Sequence, residues 1–100
     1  MEKQCIAVPG ISEMLEKSKI PLSPAVRAGD FVFVSGMPPI DRETGELIKG
    51  DIAAQTEQVL ENVKACLEAA GSSLDKVVKC NVYAANSGYF NAVNEVYARY

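Results

Sequence analysis

The stretch Ala25-Val26-Arg27-Ala28-Gly29-Asp30-Phe31-Val32-Phe33-Val34-Ser35-Gly36 decides the fold. Two apolar runs flank Ala28-Gly29-Asp30, and Gly29 is free to take the positive φ that a tight turn between antiparallel strands requires. The second run, Phe31 to Ser35, is nearly all aromatic and β-branched. That composition suits a central strand covered on both faces, or by helices on one face and a partner subunit on the other. Gly36 and Pro38-Pro39 end it.

Outward from this hairpin, Gln4 to Val8 predicts a further strand closed by a Pro9-Gly10 turn. Ile11 to Lys19 carries Ile11, Met14 and Leu15 at helical spacing and reads as a helical turn or a loop. On the other side, Asp41 to Glu46 is a polar turn leading to Leu47-Ile48. Asp51 to Ala70 is a helix with Asp51 as N-cap, an apolar stripe of Ile52, Val59, Val63, Leu67 and Ala70, and Gly71 as its stop. Val77 to Ala84 alternates, with Val78, Cys80, Val82 and Ala84 on one side and Lys79, Asn81 and Tyr83 on the other, which predicts a strand. A second helix is expected from about Ser87, with Phe90, Val93, Tyr97 and Tyr100 on its apolar side. The fold class is α+β in a ferredoxin-like order, with two helices on one face of a sheet. Helices of this apolarity need about four or more strands to cover them, so strands are missing from the order.

The 100 residues are the length of one small domain, residues 1–100. With 48% hydrophobic and 23% charged residues, the chain is expected to fold. No apolar run reaches the roughly 18 residues of a membrane span, and the start lacks a signal-peptide pattern, so the cytosol is the expected compartment. A net charge of −3 with interspersed signs gives nucleic acid no electrostatic footprint. Histidine is absent, which removes His-dependent catalysis and, with three widely spaced cysteines, zinc sites. Cys66 and Cys80 fall within apolar patterns and are expected to be buried, reduced thiols.

The remaining candidates for chemistry are few. Ser35-Gly36, at the end of a buried strand, can present a hydroxyl and backbone N–H groups to a carboxylate or a developing oxyanion at a cleft rim. The same pair can equally release the strand into a turn, with Ser35 satisfying nearby backbone. Asn94 sits beside the apolar stripe of the second helix, facing either a sheet edge, a partner or solvent. Arg27 and Arg99 can receive carboxylates through a bidentate fork or remain solvated. Asp41, Glu43 and Glu46 are explained by their turn.

The order Pro21-Leu22-Ser23-Pro24 through Gly36, then Thr44-Gly45-Glu46, Asp51 to Thr56, Asn62-Val63-Lys64, Leu67 to Gly71, Val77 to Tyr83 and Phe90 to Asn94 resembles the RidA/YjgF family, also known as the endoribonuclease L-PSP or translation-inhibitor family. The resemblance implies a chorismate-mutase-like α+β fold with a mixed sheet, assembled as a homotrimer with ligand clefts between subunits. It implies a hydrolase that deaminates reactive imine or enamine acids, such as 2-aminoacrylate, to 2-oxo acids and ammonia without a cofactor. Ser35 and Gly36 match the family's cleft serine and glycine, and Asn94 its helix asparagine. Leu22 stands where the family has a tyrosine, and Pro24 where it has a glutamine.

The family's substrate-clamping arginine and water-associated glutamate belong to strands beyond the second helix, so no catalytic residue is assigned. The chain is accordingly expected to be a fragment of a longer protein, or to receive its closing strands from partner chains. The leading expectation is imine deamination, with a small imino or oxo acid as ligand. The alternative is a noncatalytic trimer that binds small metabolites.

Overall fold

The computed structural model describes residues 1–100. Three strands, β1 (Lys3–Ile6), β2 (Ala25–Ala28) and β3 (Phe31–Val34), form an antiparallel sheet in the order β1-β2-β3. The hairpin forms as the sequence predicts. Ala28 pairs with Phe31, leaving Gly29-Asp30 as a two-residue turn with Gly29 at φ 59°, the first central position, where a type II′ turn takes glycine. Helix α1 (Ile11–Lys17) resolves the open choice at Ile11 to Lys19 in favour of helix. Helix α2 (Ile52–Ala69) follows, then α3 (Phe90–Tyr97), entered through a 3₁₀ turn at Ser87–Tyr89.

The ends of α2 form as expected. Asp51 accepts a hydrogen bond from Ala54 N–H at 2.8 Å, satisfying one of the helix's orphan donors. At the other end Gly71, at φ 82°, and Ser72 donate to Glu68 O and Leu67 O, the paired bonds of a Schellman stop. Gly10, before α1, is glycine for two reasons: its φ is 85°, and a Cβ there would lie 2.4 Å from Arg42 O.

The core joins Val8, Ile11, Leu15 and Ala25 to Cys66 of α2, with Ile6, Val34, Met37 and Ala65 packed around it. Helices cover one sheet face only, while Phe31 and Phe33 on the other are 62% and 60% exposed. No helix is long and apolar enough to cross a membrane.

Four expectations need correction. The predicted strand at Val77 to Ala84 does not form: after a 3₁₀ turn at Leu74–Lys76 these residues are irregular and exposed. Alternation alone cannot hold a strand, whose backbone groups need a neighbouring ladder. The sheet therefore consists of three antiparallel strands, and β3 is its edge rather than its centre. Cys80, carried on that segment, is exposed, whereas Cys66 is fully buried as expected.

The inward stripes are also rotated. In α2 Leu67 and, just past its end, Ala70 are buried as expected, but Leu60, Asn62 and Cys66 join them while Ile52, Val59 and Val63 are only half-buried. In α3 only Val96 is buried, and Phe90 is 68% exposed. α2 serves two neighbours, turning Cys66 to the core beneath the sheet and another side to α3, and α3 makes its main contact with α2, so neither helix lies flat on the sheet by one stripe.

Candidate functional site

The strand β3 delivers Ser35, half-buried, to the point where the chain leaves the sheet. Ser35 is tied back twice to the segment before β2. Its N–H donates to Pro24 O at 3.0 Å, and its hydroxyl donates to Ser23 O at 2.6 Å. A hydroxyl whose proton is committed in this way keeps only its lone pairs free, so toward a ligand it acts as an acceptor.

Gly36 is exposed, with open space where a Cβ would sit. The next two backbone donors, Gly36 N–H and Met37 N–H, reach no acceptor in the chain. The Ser35 hydroxyl oxygen and the two free N–H groups that follow it are one acceptor and two donors within three residues, open to a polar ligand.

The sides of this anchor are set by Pro21 to Pro24. Leu22, 47% exposed, lies in an open groove of about 490 Å³ with Ser23, Ile6, Leu15 and Ile20. The groove is predominantly apolar, and Leu22 offers it an alkyl group and no hydrogen-bonding atom. Asn94 stands on the exposed side of α3, outside that groove, and neither it nor Ser35 nor Gly36 lines it. Within one chain the structure thus brings Ser35 to Ser23 and Leu22 to Ser23, and leaves Asn94 apart.

Of the arginines singled out, Arg27 extends toward Gly71 at the C-terminal end of α2, where a cation complements the helix dipole. Arg99 is exposed. The polar turn behaves as expected: the Asp41 carboxylate accepts from Glu43 and Thr44 N–H groups.

Two features were not anticipated. Asn62 is buried to 1% exposure in the middle of α2, with its amide fully hydrogen-bonded. A polar residue between Leu60 and Val63 reads as solvent-facing; the available signal was its four-residue spacing from Gln58 and Cys66 along one helix face. Tyr100 donates its hydroxyl to Glu61 at 2.7 Å, fastening the chain after α3 to α2. Burial, then the Glu61 carboxylate, push its phenol up to about 12.

The family model described as Endoribonuclease L-PSP matches residues 14–100. A RutC family protein of Pyrococcus horikoshii is 56% identical over 80 residues, covering 80% of this chain and 64% of that protein. The chloroplastic Reactive Intermediate Deaminase A of Arabidopsis thaliana is 40% identical over 80 residues, covering 80% of this chain and 43% of that protein. The crystal structure of E. coli TdcF with bound serine superposes with a TM-score of 0.75 at 38% identity, covering 79% of this chain and 61% of that one. The chain thus spans just under two thirds of the P. horikoshii relative, and on the match across α1 to α3 it belongs to the RidA/YjgF family, the endoribonuclease L-PSP family.

Proposed function

We propose that the protein is a cytoplasmic RidA-type hydrolase that converts reactive 2-imino and enamine acids to 2-oxo acids and ammonia. It works as a homotrimer whose ligand clefts lie between subunits. The observation that carries this reading is the end of β3: two consecutive free N–H groups beside a serine hydroxyl whose proton is already committed, leaving its oxygen to accept. A 2-imino acid offers the complementary pair, a carboxylate for the N–H groups of Gly36 and Met37 and an imine N–H for Ser35 Oγ.

Hydrolysis then needs water to add to the C=N carbon. A C–O bond forms, the C=N π pair moves to nitrogen, and nitrogen takes a proton, giving a carbinolamine. Loss of ammonia with return of the hydroxyl proton to the departing nitrogen forms the C=O bond. Holding the carboxylate and nitrogen at fixed points contributes by orientation, which in favourable cases accounts for several powers of ten in rate. Leu22 borders the substrate's side chain, and Asn94 supplies an amide across the subunit boundary. The 40% identity to a protein named Reactive Intermediate Deaminase A supports the reaction class.

A second reading, a noncatalytic trimer that holds small carboxylates, is favoured by Leu22, an alkyl group where the family resemblance places a phenol. The related TdcF was solved with serine bound. One experiment separates the two. An amino-acid oxidase generates an imino acid from a short neutral amino acid while ammonia release is followed with and without the protein. Acceleration that falls about tenfold or more in Ser35→Ala supports the hydrolase. No acceleration, but a thermal shift with pyruvate, replaces it with the binding protein, and neither response overturns both.

A further inference from the structure

The amide of Asn62 is out of place among Leu60, Cys66 and Leu67. A leucine there would fill similar volume without the desolvation cost of a buried amide, so what the asparagine contributes is direction. Its bonds show where that direction points. Nδ2 donates to Pro38 O at 3.1 Å and to Ile40 O at 2.9 Å, while Oδ1 accepts from Gln58 Nε2 at 3.0 Å, which fixes which way the amide faces. The two carbonyls flank Pro39, where Ile40 N–H already donates to Pro38 O at 2.8 Å in a tight three-residue turn.

This clamp lies just beyond the anchor. Ser35 is pinned on one side by Pro24 O and Ser23 O, and Pro38 on the other by Asn62. Only Gly36 and Met37 lie between them, and Met37 Sδ rests 3.8 Å from Cys66 Sγ, one turn along α2 from Asn62. Glycine at 36 contributes no stiffness of its own. Fixing both ends of so short a span sets the direction of the two free N–H groups.

We propose that Asn62 is the positioning residue of the site, a buried clamp on Pro38 and Ile40 that aims the N–H groups of Gly36 and Met37 at the ligand's carboxylate. This rests on the reading of that anchor as the ligand site. Asn62 itself touches no ligand, and acts through the backbone it holds.

The test compares Asn62→Leu and Asn62→Asp with Val96→Ala in the full protein. Leucine keeps the bulk and removes both donations. Aspartate keeps an acceptor for Gln58 and sets a carboxylate against two carbonyls. Val96→Ala loosens the α2–α3 contact away from the loop. For each, KM in the imine assay, the dissociation constant of pyruvate, thermal stability and amide hydrogen exchange at Gly36 and Met37 are measured.

A merely destabilised protein loses active fraction and keeps its KM. Loss of aim raises KM and the pyruvate dissociation constant by about tenfold, the equivalent of one hydrogen bond to a charged group. The expected result is that rise, with faster exchange at Gly36 and Met37, in whichever Asn62 variant folds, and neither change in Val96→Ala at comparable stability loss. Unchanged KM and exchange in the Asn62 variants overturn the clamp while leaving the function standing. A wild-type protein that neither hydrolyses the imine nor binds pyruvate overturns the ligand reading, and the proposal with it.

Discussion

At the scale of single residues, Cys66 has the clearest consequence for stability. Its thiol is fully buried against Met37, and burial pushes it up to about 11, against the pull of the Arg42 charge. Because the folded state holds this proton more tightly than the unfolded one, the associated stability is fully present below about pH 9 and is lost as pH rises through about 11. We expect urea midpoints to be level between pH 7 and 8.5 and to drop by the equivalent of roughly 1 to 3 kcal/mol near pH 11, with the drop reduced in Cys66→Ala once its own cavity cost is subtracted. An unchanged pH slope in that variant would assign the drop to other groups. Cys66 was legible as a buried thiol because helical spacing places it beside Leu67. The same reading failed for Cys80, which is exposed because its burial depended on a strand that does not form.

At the scale of elements, local chemistry carried most of the information. Asp51, Gly71 and the Gly29 turn each satisfy backbone groups within a few residues of themselves, so the sequence displays them directly. The inward faces of α2 and α3 were less readable. They depend on the angle at which two helices meet, and half-buried Val59 and Val63 compete with Leu60 for the core side. The candidate site divides similarly: Ser35-Gly36 could be found from a strand ending in glycine, but the bond from Ser35 to Ser23 spans 12 residues and the clamp from Asn62 spans more than 20. Gly10 gives the prediction at this scale. Gly10→Ala puts a Cβ against Arg42 O at positive φ, and should cost about 2 to 4 kcal/mol in denaturant unfolding, where Gly36→Ala, in open space, costs far less.

For the whole molecule, the bare side of the sheet is the dominant feature. Cys5, Val26, Ala28, Phe31 and Phe33 share it by register, opposite the helices. The sequence left two readings of this strand open, covered on both faces or by helices on one face and a partner subunit on the other, and within the chain only the helix-facing side is covered. The proposed homotrimer, if it closes on that face, is expected to dissociate when a charge is buried in it. Phe33→Lys should shift the sedimenting species from three copies toward one at micromolar concentration, with the helical circular dichroism retained. A monomeric wild type, or a Phe33→Lys protein that remains trimeric, would remove this face from the assembly.

The same strand has a second consequence, for the life of the chain before any assembly. Phe31 to Val34 is an apolar run with no lysine, proline or bulge to blunt it, and it lies at the margin of the sheet with unpaired backbone groups along one side. Such a margin templates pairing with any other extended chain, including copies of itself. The edge along β3 is therefore the place where this chain, on its own, is expected to associate with other extended backbone.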